Sequence, residues 1–249
     1  MWHPSQVGGS SPRDVRGTLG TVRNAVLLLG LLSEGPPYQQ LSDLAAQSGL
    51  SIPTVHRLLR SLVLADLVEQ DPRSSRYGLG PEVTRLSQRY LERLPSLNAL
   101  APYLVPLRDQ LGSTIKVAIL VGGAVVYVDR VDGTDAGLFR EAQRAPGAFD
   151  SASGRLLVAR ASDRAWEAAR ARSDPDHLAD ADAQRATWRA ADHLAFEQEV
   201  AVPVLDGRGA AVAALSATVS GTPDPAGLQH TVTHLTRAAA AAGRTLGHA

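Results

Sequence analysis

Apolar side chains recur along this chain at helical spacing in its first half and at strand spacing in two later stretches. The segment TVRNAVLLLGLLSEG (21–35) keeps apolar residues along one face, from Val22 through Leu29 to Leu32. Gly35 and two prolines then stop it, which predicts a helix and its C-terminus. A second short helix is predicted in LSDLAAQSGL (41–50), where Leu41, Leu44 and Ala45 share a face and Gly49 can take positive φ. A third lies in SIPTVHRLLRSLVLADLV (51–68). Ser51 is a favourable N-cap, and Pro53 stands in the first turn, where a missing N–H costs nothing. Val55, Leu58, Leu59 and Leu62 repeat at i, i+3, i+4, i+7 and must face a core, which turns Ile52, Thr54, His56, Arg57 and Arg60 outward. Next, EQDPRSSRYGLG (69–80) reads as two short extended runs around a turn at Asp71-Pro72-Arg73-Ser74-Ser75, a β-hairpin.

Further on, Val83, Leu86 and Tyr90 hold a helical stripe up to Pro95. A second stripe runs through Leu97, Leu100, Leu104, Leu107 and Leu111. Pro102 falls early in it, and Pro106 is expected to kink or interrupt it. TIKVAILVGGAVVYVDRV (114–131) is two β-branched runs joined by Gly122-Gly123, a strong hairpin signal. VAVPVLDGRGAAVAALSATVSG (200–221) repeats the design around Asp-Gly-Arg-Gly. Between them, FDSASGRLLVA (149–159) looks like a loop feeding a helix, and residues 162 to 195 read as helical. The chain closes on a helix with Leu228, Val232, Leu235, Ala239, Ala242 and Leu246 on one face. The predicted class is α+β, with antiparallel strands flanked by helices in the second part.

Two short helices, a tight turn between them and a following hairpin make a winged helix-turn-helix, whose second helix enters the DNA major groove. Arg73 and Arg76 on the wing would meet phosphates, adding affinity without sequence information. Ser42 and Ser51, at the starts of the two helices, complete the candidate DNA-binding set. Charge distribution agrees weakly: net charge is zero, but residues 1 to 94 hold ten Arg against eight acids. All basic residues are Arg except Lys116, which reads as a coding bias. With no cysteine, disulfides and thiolate chemistry are excluded. The first eighteen residues have no apolar core of a signal peptide and read as a disordered tail; with no long apolar run elsewhere, a cytoplasmic protein is expected.

From Leu41 to Gly80 the chain resembles the IclR family of regulators almost throughout. It has a Leu-Ser-Asp-Leu-Ala helix, a Gly-Leu turn, Thr54-Val55-His56-Arg57-Leu58-Leu59, and Arg76-Tyr77-Gly78-Leu79-Gly80 closing the wing. Where the family usually has Ser before the Thr, this chain has Pro53, which removes a hydroxyl and a backbone donor. The likeness continues to the C-terminus, with weaker matches between residues 160 and 198. It implies a winged helix-turn-helix over 19–81, a linker helix over 82–96 and a GAF-like effector-binding domain over 97–249. It also implies a homodimer, often a dimer of dimers, on pseudo-palindromic operator DNA. In the family the helix comparable to 82–96 joins the two domains; here it is either a transmitter or a plain spacer.

In the second domain, Ser151-Ala152-Ser153-Gly154 is a run of small residues at a helix N-terminus, where free N–H groups favour a carboxylate or other polar group. Residue by residue, the resemblance carries ligand contact to Ala152, Ser153, Ser216 and Thr218, and so implies a small organic metabolite, acidic or aromatic, as effector. Two departures stand out: Phe149 replaces a frequent His, and Glu199 replaces a frequent Cys. Glu199 either faces the pocket, where it would repel an anion, or points to solvent.

Rival classes fare worse. Ser151 and Ser153 lack a Gly-x-Ser-x-Gly elbow and a partner His, and no phosphate loop or paired catalytic carboxylates emerge, so no enzyme is expected. His230 and His234 stand four apart but have no third ligand beside them in sequence, so no metal and no cofactor is expected. The remaining alternative is a signalling module that binds a ligand and acts through a protein partner, with a degenerate DNA-binding domain.

Overall fold

The computed structural model describes residues 12–136, 147–173, 178, 180–219 and 224–247, the side chains of 12–19 excepted. The chain divides into two units, Met1–Tyr90 and Leu91–Ala249.

The first unit contains α1 (Pro12–Glu34), α2 (Leu41–Ser48), α3 (Ile52–Leu64), β1 (Val68–Gln70) and β2 (Tyr77–Leu79). Helix α1 starts ten residues before the apolar stripe does, so part of the stretch read as a tail is helical. Among its described side chains Leu28 and Leu32, one turn apart, are buried, while Val22 and Val26 are exposed, so the predicted face is rotated. The core joins those leucines to Leu44 and Ala45 of α2, to Val55, Leu58, Leu59 and Leu62 of α3, and to Val68 and Tyr77 of the hairpin. Gly49 ends α2 at φ 68, the left-handed conformation that a tight turn into α3 requires. The hairpin pairs Val68 with Leu79 and Gln70 with Tyr77. Gln39 adds a bridge to Tyr77, exchanging both backbone hydrogen bonds at 2.8 and 2.9 Å. The Gln39 side chain donates to the Leu31 carbonyl near the end of α1, so one buried glutamine ties wing to helix. Helix α4 (Glu82–Glu92) crosses the division between the units and has no buried residue.

The second unit opens with α5 (Pro95–Leu111), β3 (Ile115–Val121) and β4 (Ala124–Val131). There follow α6 (Ala152–Arg160), α7 (Asp163–Arg170), α8 (Ala181–Ala190), β5 (Leu194–Phe196), β6 (Glu199–Leu205), β7 (Ala211–Thr218) and α9 (Pro225–Leu246). Helix α5 runs uninterrupted through Pro102 and Pro106. Ala99, Leu100, Leu104 and Leu107 pack into the core along its length, which holds the turns that have lost a hydrogen bond. Five antiparallel strands lie in the order β4-β3-β7-β6-β5, so the two predicted hairpins join edge to edge through β3 and β7. Residues 194 and 195, expected to be helical, belong to the edge strand β5 instead.

The period of two along the strands sorts this sheet into two faces. Ile115, Val117, Leu215, Ala217, Val200 and Val202 turn to α5 and α9 and form the larger apolar cluster. On the opposite face Ala118 and Ala214 meet α6, α7 and α8 around Phe149, Trp166 and Trp188. Phe149 is fully buried, edge-on to Trp166 at 5.2 Å, so the residue standing in for a frequent His is a core side chain. No helix among the described residues is long and apolar enough to cross a membrane.

Candidate DNA-binding face and buried carboxylate site

Helix α3 presents its surface because its other side is fully engaged. With Val55, Leu58, Leu59 and Leu62 in the core, Ile52, His56, Arg57 and Arg60 are left exposed and Thr54 half-buried. Ser51 sits at the N-cap with extended backbone, but its hydroxyl meets the Thr54 Oγ1 at 2.8 Å rather than a helix N–H. Two hydroxyls therefore stand together at the start of the helix. Ser42 is exposed at the start of α2 and bonds only locally, to Gln40 and Asp43.

Arg73 and Arg76 are exposed on the wing, whose tip is shaped by Asp71. Its carboxylate accepts from the Arg73 and Ser74 backbone N–H groups, each at 3.1 Å, and from the Ser74 hydroxyl. Those bonds, led by the hydroxyl, hold the Asp71 carboxyl below its ordinary value. Among the described residues the guanidinium groups of Arg57, Arg60, Arg73 and Arg76 make no ion pair. A shallow cleft of about 390 Å³ lies between His56 and Arg60 of α3 and Gln70 and Tyr77 of the wing. Unpaired cations on a helix and a hairpin, beside a groove, can neutralise phosphates, and the helix face can reach base edges.

In the second unit, the site at the start of α6 differs from the sequence expectation. The N–H groups of Ser153 and Gly154 are not free. Ser151 is the N-cap and its hydroxyl accepts from the Gly154 N–H at 3.0 Å. The Ser153 N–H donates to Glu199 Oε2 at 3.2 Å. Ala152 is buried among Leu156 and Ala201. Gly154 is required by space, since a Cβ there would lie 2.3 Å from the Ala148 carbonyl oxygen.

Glu199, the first residue of β6, settles the open alternative by facing inward; it is 6% exposed. Pairing explains the direction. Glu199 and Ala201 of β6 lie opposite Thr218 and Ser216 of β7, and Ser216 lies opposite Lys116 of β3, so these side chains share the face on which α6 lies. Oε1 accepts from the Ser216 hydroxyl at 2.8 Å, the Tyr127 hydroxyl at 3.0 Å and the Ser153 hydroxyl at 3.1 Å. Lys116 Nζ approaches the same oxygen at 3.3 Å and also stands 4.8 Å from the Tyr127 ring centroid. Thr218, though opposite Glu199, points its hydroxyl toward the Thr114 carbonyl at 3.5 Å and does not join this cluster.

Burial raises the Glu199 carboxyl, but the charge of Lys116 and the donors from Ser216, Ser153 and Tyr127 outweigh it and hold the group below its ordinary value. The Tyr127 hydroxyl is pushed up, first by burial and then by the Glu199 charge. The sequence reading named Glu199, Ser153 and Ser216 but missed Lys116 and Tyr127, which lie 83 and 72 positions away from Glu199. One signal was present. Lys116 is the only lysine in the chain, at a position whose strand neighbours Ile115 and Val117 are both apolar.

Of the remaining candidates, His230 and His234 have ring centroids 4.5 Å apart on α9. Burial, His230 and Arg237 together lower the His234 pKa. No group of three or more potential metal ligands occurs among the described residues.

Residues 21–72 match the IclR helix-turn-helix domain. The chain is 27% identical over 141 residues to the HTH-type transcriptional regulator XynR of Escherichia coli K12, a match covering 56% of each protein. It thus spans little more than half of that relative's length. The crystal structure of an IclR transcriptional regulator from Silicibacter sp. TM1040 shares the fold with a TM-score of 0.76 and 25% identity, over 92% of this chain and 96% of that one. An IclR homologue from Microbacterium hydrocarbonoxydans, crystallised with 4-hydroxybenzoate, follows at TM-score 0.65 and 24% identity, over 92% of this chain and all of the other. The similar proteins are transcriptional regulators rather than enzymes.

Proposed function

We propose that the chain is a transcriptional regulator of the IclR type, that it binds a specific operator through α3 and the wing, and that its C-terminal unit modulates this binding in response to a small organic molecule. The observation that carries the first half is the outer face of α3. Its arginines are unpaired while the opposite face is locked into the core, so the helix has a charged surface and no internal use for it. Thr54 and Arg57 stand nearest to base edges, and Arg73 and Arg76 serve the phosphate backbone. The unit works as a homodimer, which sets two α3 helices into successive major grooves of a pseudo-palindromic site. Exposed Val22, Val26 and Leu27 on α1, with Leu86 and Tyr90 on α4, supply apolar surface that a second copy would cover. A dimer of dimers extends the same arrangement.

Modulation by a ligand is supported by the 4-hydroxybenzoate bound to the Microbacterium homologue. The test is a gel shift with purified protein on its own upstream intergenic DNA, at stepped salt and across a metabolite panel. A specific shift that weakens steeply with salt and changes with one compound is expected. Unchanged operator affinity in Arg57→Ala would overturn the assignment of α3 as the reading helix.

A further inference from the structure

We infer that Glu199 is a built-in occupant of the anion seat at the start of α6, so that this unit does not take a free carboxylate there and its effector is not recognised as a carboxylate at that place. The inference rests on the reading of the unit as a small-molecule sensor only for the word effector; the seat itself follows from the side chains. Five donor groups from four elements converge on one carboxylate. They are Lys116 Nζ from β3, the Tyr127 hydroxyl from β4, the Ser153 N–H and hydroxyl from α6, and the Ser216 hydroxyl from β7. A cation, a helix N-terminus and three hydroxyls are the components from which an enclosed carboxylate-binding site is made. Here the carboxylate arrives from the chain's own β6.

A second carboxylate placed on these donors would sit within contact distance of Glu199, where like charges in a dry site cannot both remain ionised. On α6 the Ser153 N–H is engaged by Glu199 itself and the Gly154 N–H by Ser151. Burial of a glutamate at the first residue of a strand is otherwise costly, and the surrounding donors compensate that cost only for an ionised group. The same donors left without Glu199 form an unoccupied anion site of the size of a small carboxylate.

This predicts chemical rescue. Thermal unfolding of the full chain is followed in acetate against chloride at equal ionic strength, for the wild type and for Glu199→Ala and Glu199→Gln, with benzoate as a second probe on the wild type. The wild type should unfold at the same temperature in all three salts. Glu199→Ala should unfold earlier in chloride and recover by a few degrees, saturably, in acetate. Glu199→Gln, which keeps the seat filled, should not respond, and adding Lys116→Met to Glu199→Ala should abolish the recovery.

If Glu199→Ala is unfolded in chloride, the same recovery must appear as folding restored by acetate. An acetate-blind Glu199→Ala, folded or not, overturns the inference. So does a wild type that acetate or benzoate stabilises saturably and that loses this response in Ser216→Ala. Operator binding is not a readout here, so a failure of the seat leaves the DNA-binding reading standing, and the reverse also holds.

Discussion

Lys116→Met removes the cation that faces Glu199 while keeping a side chain of similar length to cover the Tyr127 ring. At 3.3 Å, and with an effective dielectric of about 20, the lost attraction is about 5 kcal/mol. Screening by solvent discounts this little, since the two side chains are 12% and 7% exposed. The variant also avoids the cost of burying the ammonium, so the expected net loss at neutral pH is about 3 kcal/mol, the lower end for breaking a buried pair. The pH dependence gives a sharper test. In the wild type Glu199 is held below its ordinary value of 4.5, so the folded state binds fewer protons than the unfolded one. Its contribution is therefore complete above the ordinary carboxylate range and declines as pH falls through that range and below. Without Lys116, burial dominates and raises the carboxyl above its ordinary value. The folded state then binds the extra proton, and stability falls as pH rises from the carboxylate range toward neutrality. The slope changes sign. Urea unfolding at stepped pH, followed by the fluorescence of Trp166 and Trp188 in the second unit, measures both quantities. A loss below about 1 kcal/mol, or a variant that keeps the wild-type slope, would refute the reasoning.

Four further outcomes are expected. Arg57→Ala should cost on the order of 1–3 kcal/mol of specific DNA binding, measured by titration against operator and scrambled DNA. Arg73→Ala and Arg76→Ala should each weaken both DNAs alike and flatten the salt dependence by about one ion. Leu59→Ala, at a fully buried position of the first core, should destabilise by about 2–5 kcal/mol and reduce DNA binding with the tryptophan signal of the second unit unchanged. Gly123→Ala places a Cβ 2.5 Å from the Ala169 backbone nitrogen at a residue with φ 85, so it should strain the β3–β4 turn and displace α7. Its unfolding midpoint should fall by more than that of a substitution at Gly209, where φ is 77 but nothing crowds the site.

The local features of this fold were readable because they are written in neighbouring residues. Gly49 marks the turn between α2 and α3, and Gly122-Gly123 the hairpin between β3 and β4. Spacing of Val55, Leu58, Leu59 and Leu62 told which side of α3 is free. The misreadings occur where local signals are weak or overridden by packing. The start of α1 lies in a Gly- and Arg-containing stretch with no apolar stripe, and β5 is only three residues long. Pro106 is a helix breaker by its own chemistry, yet the apolar residues around it keep α5 whole. The site divides the same way. Ser151 and Ser153 could be named from their place before a helix. That Lys116, Tyr127 and Ser216 meet Glu199 depends on β3 pairing with β7, an alignment across about a hundred residues that no short pattern encodes.

Tethering the anion changes what its seat can report. A metabolite in solution occupies a site in proportion to its concentration, whereas a carboxylate fixed on β6 is present at an effective molarity that no dissolved acid reaches. The seat is therefore saturated from the moment the unit folds, and its occupancy carries no information about the cell's pool of acids. Glutamate and alanine codons differ by a single base. One point mutation at position 199 would exchange a permanently satisfied seat for one filled according to the supply of small acids, with the four other contributing side chains already in place.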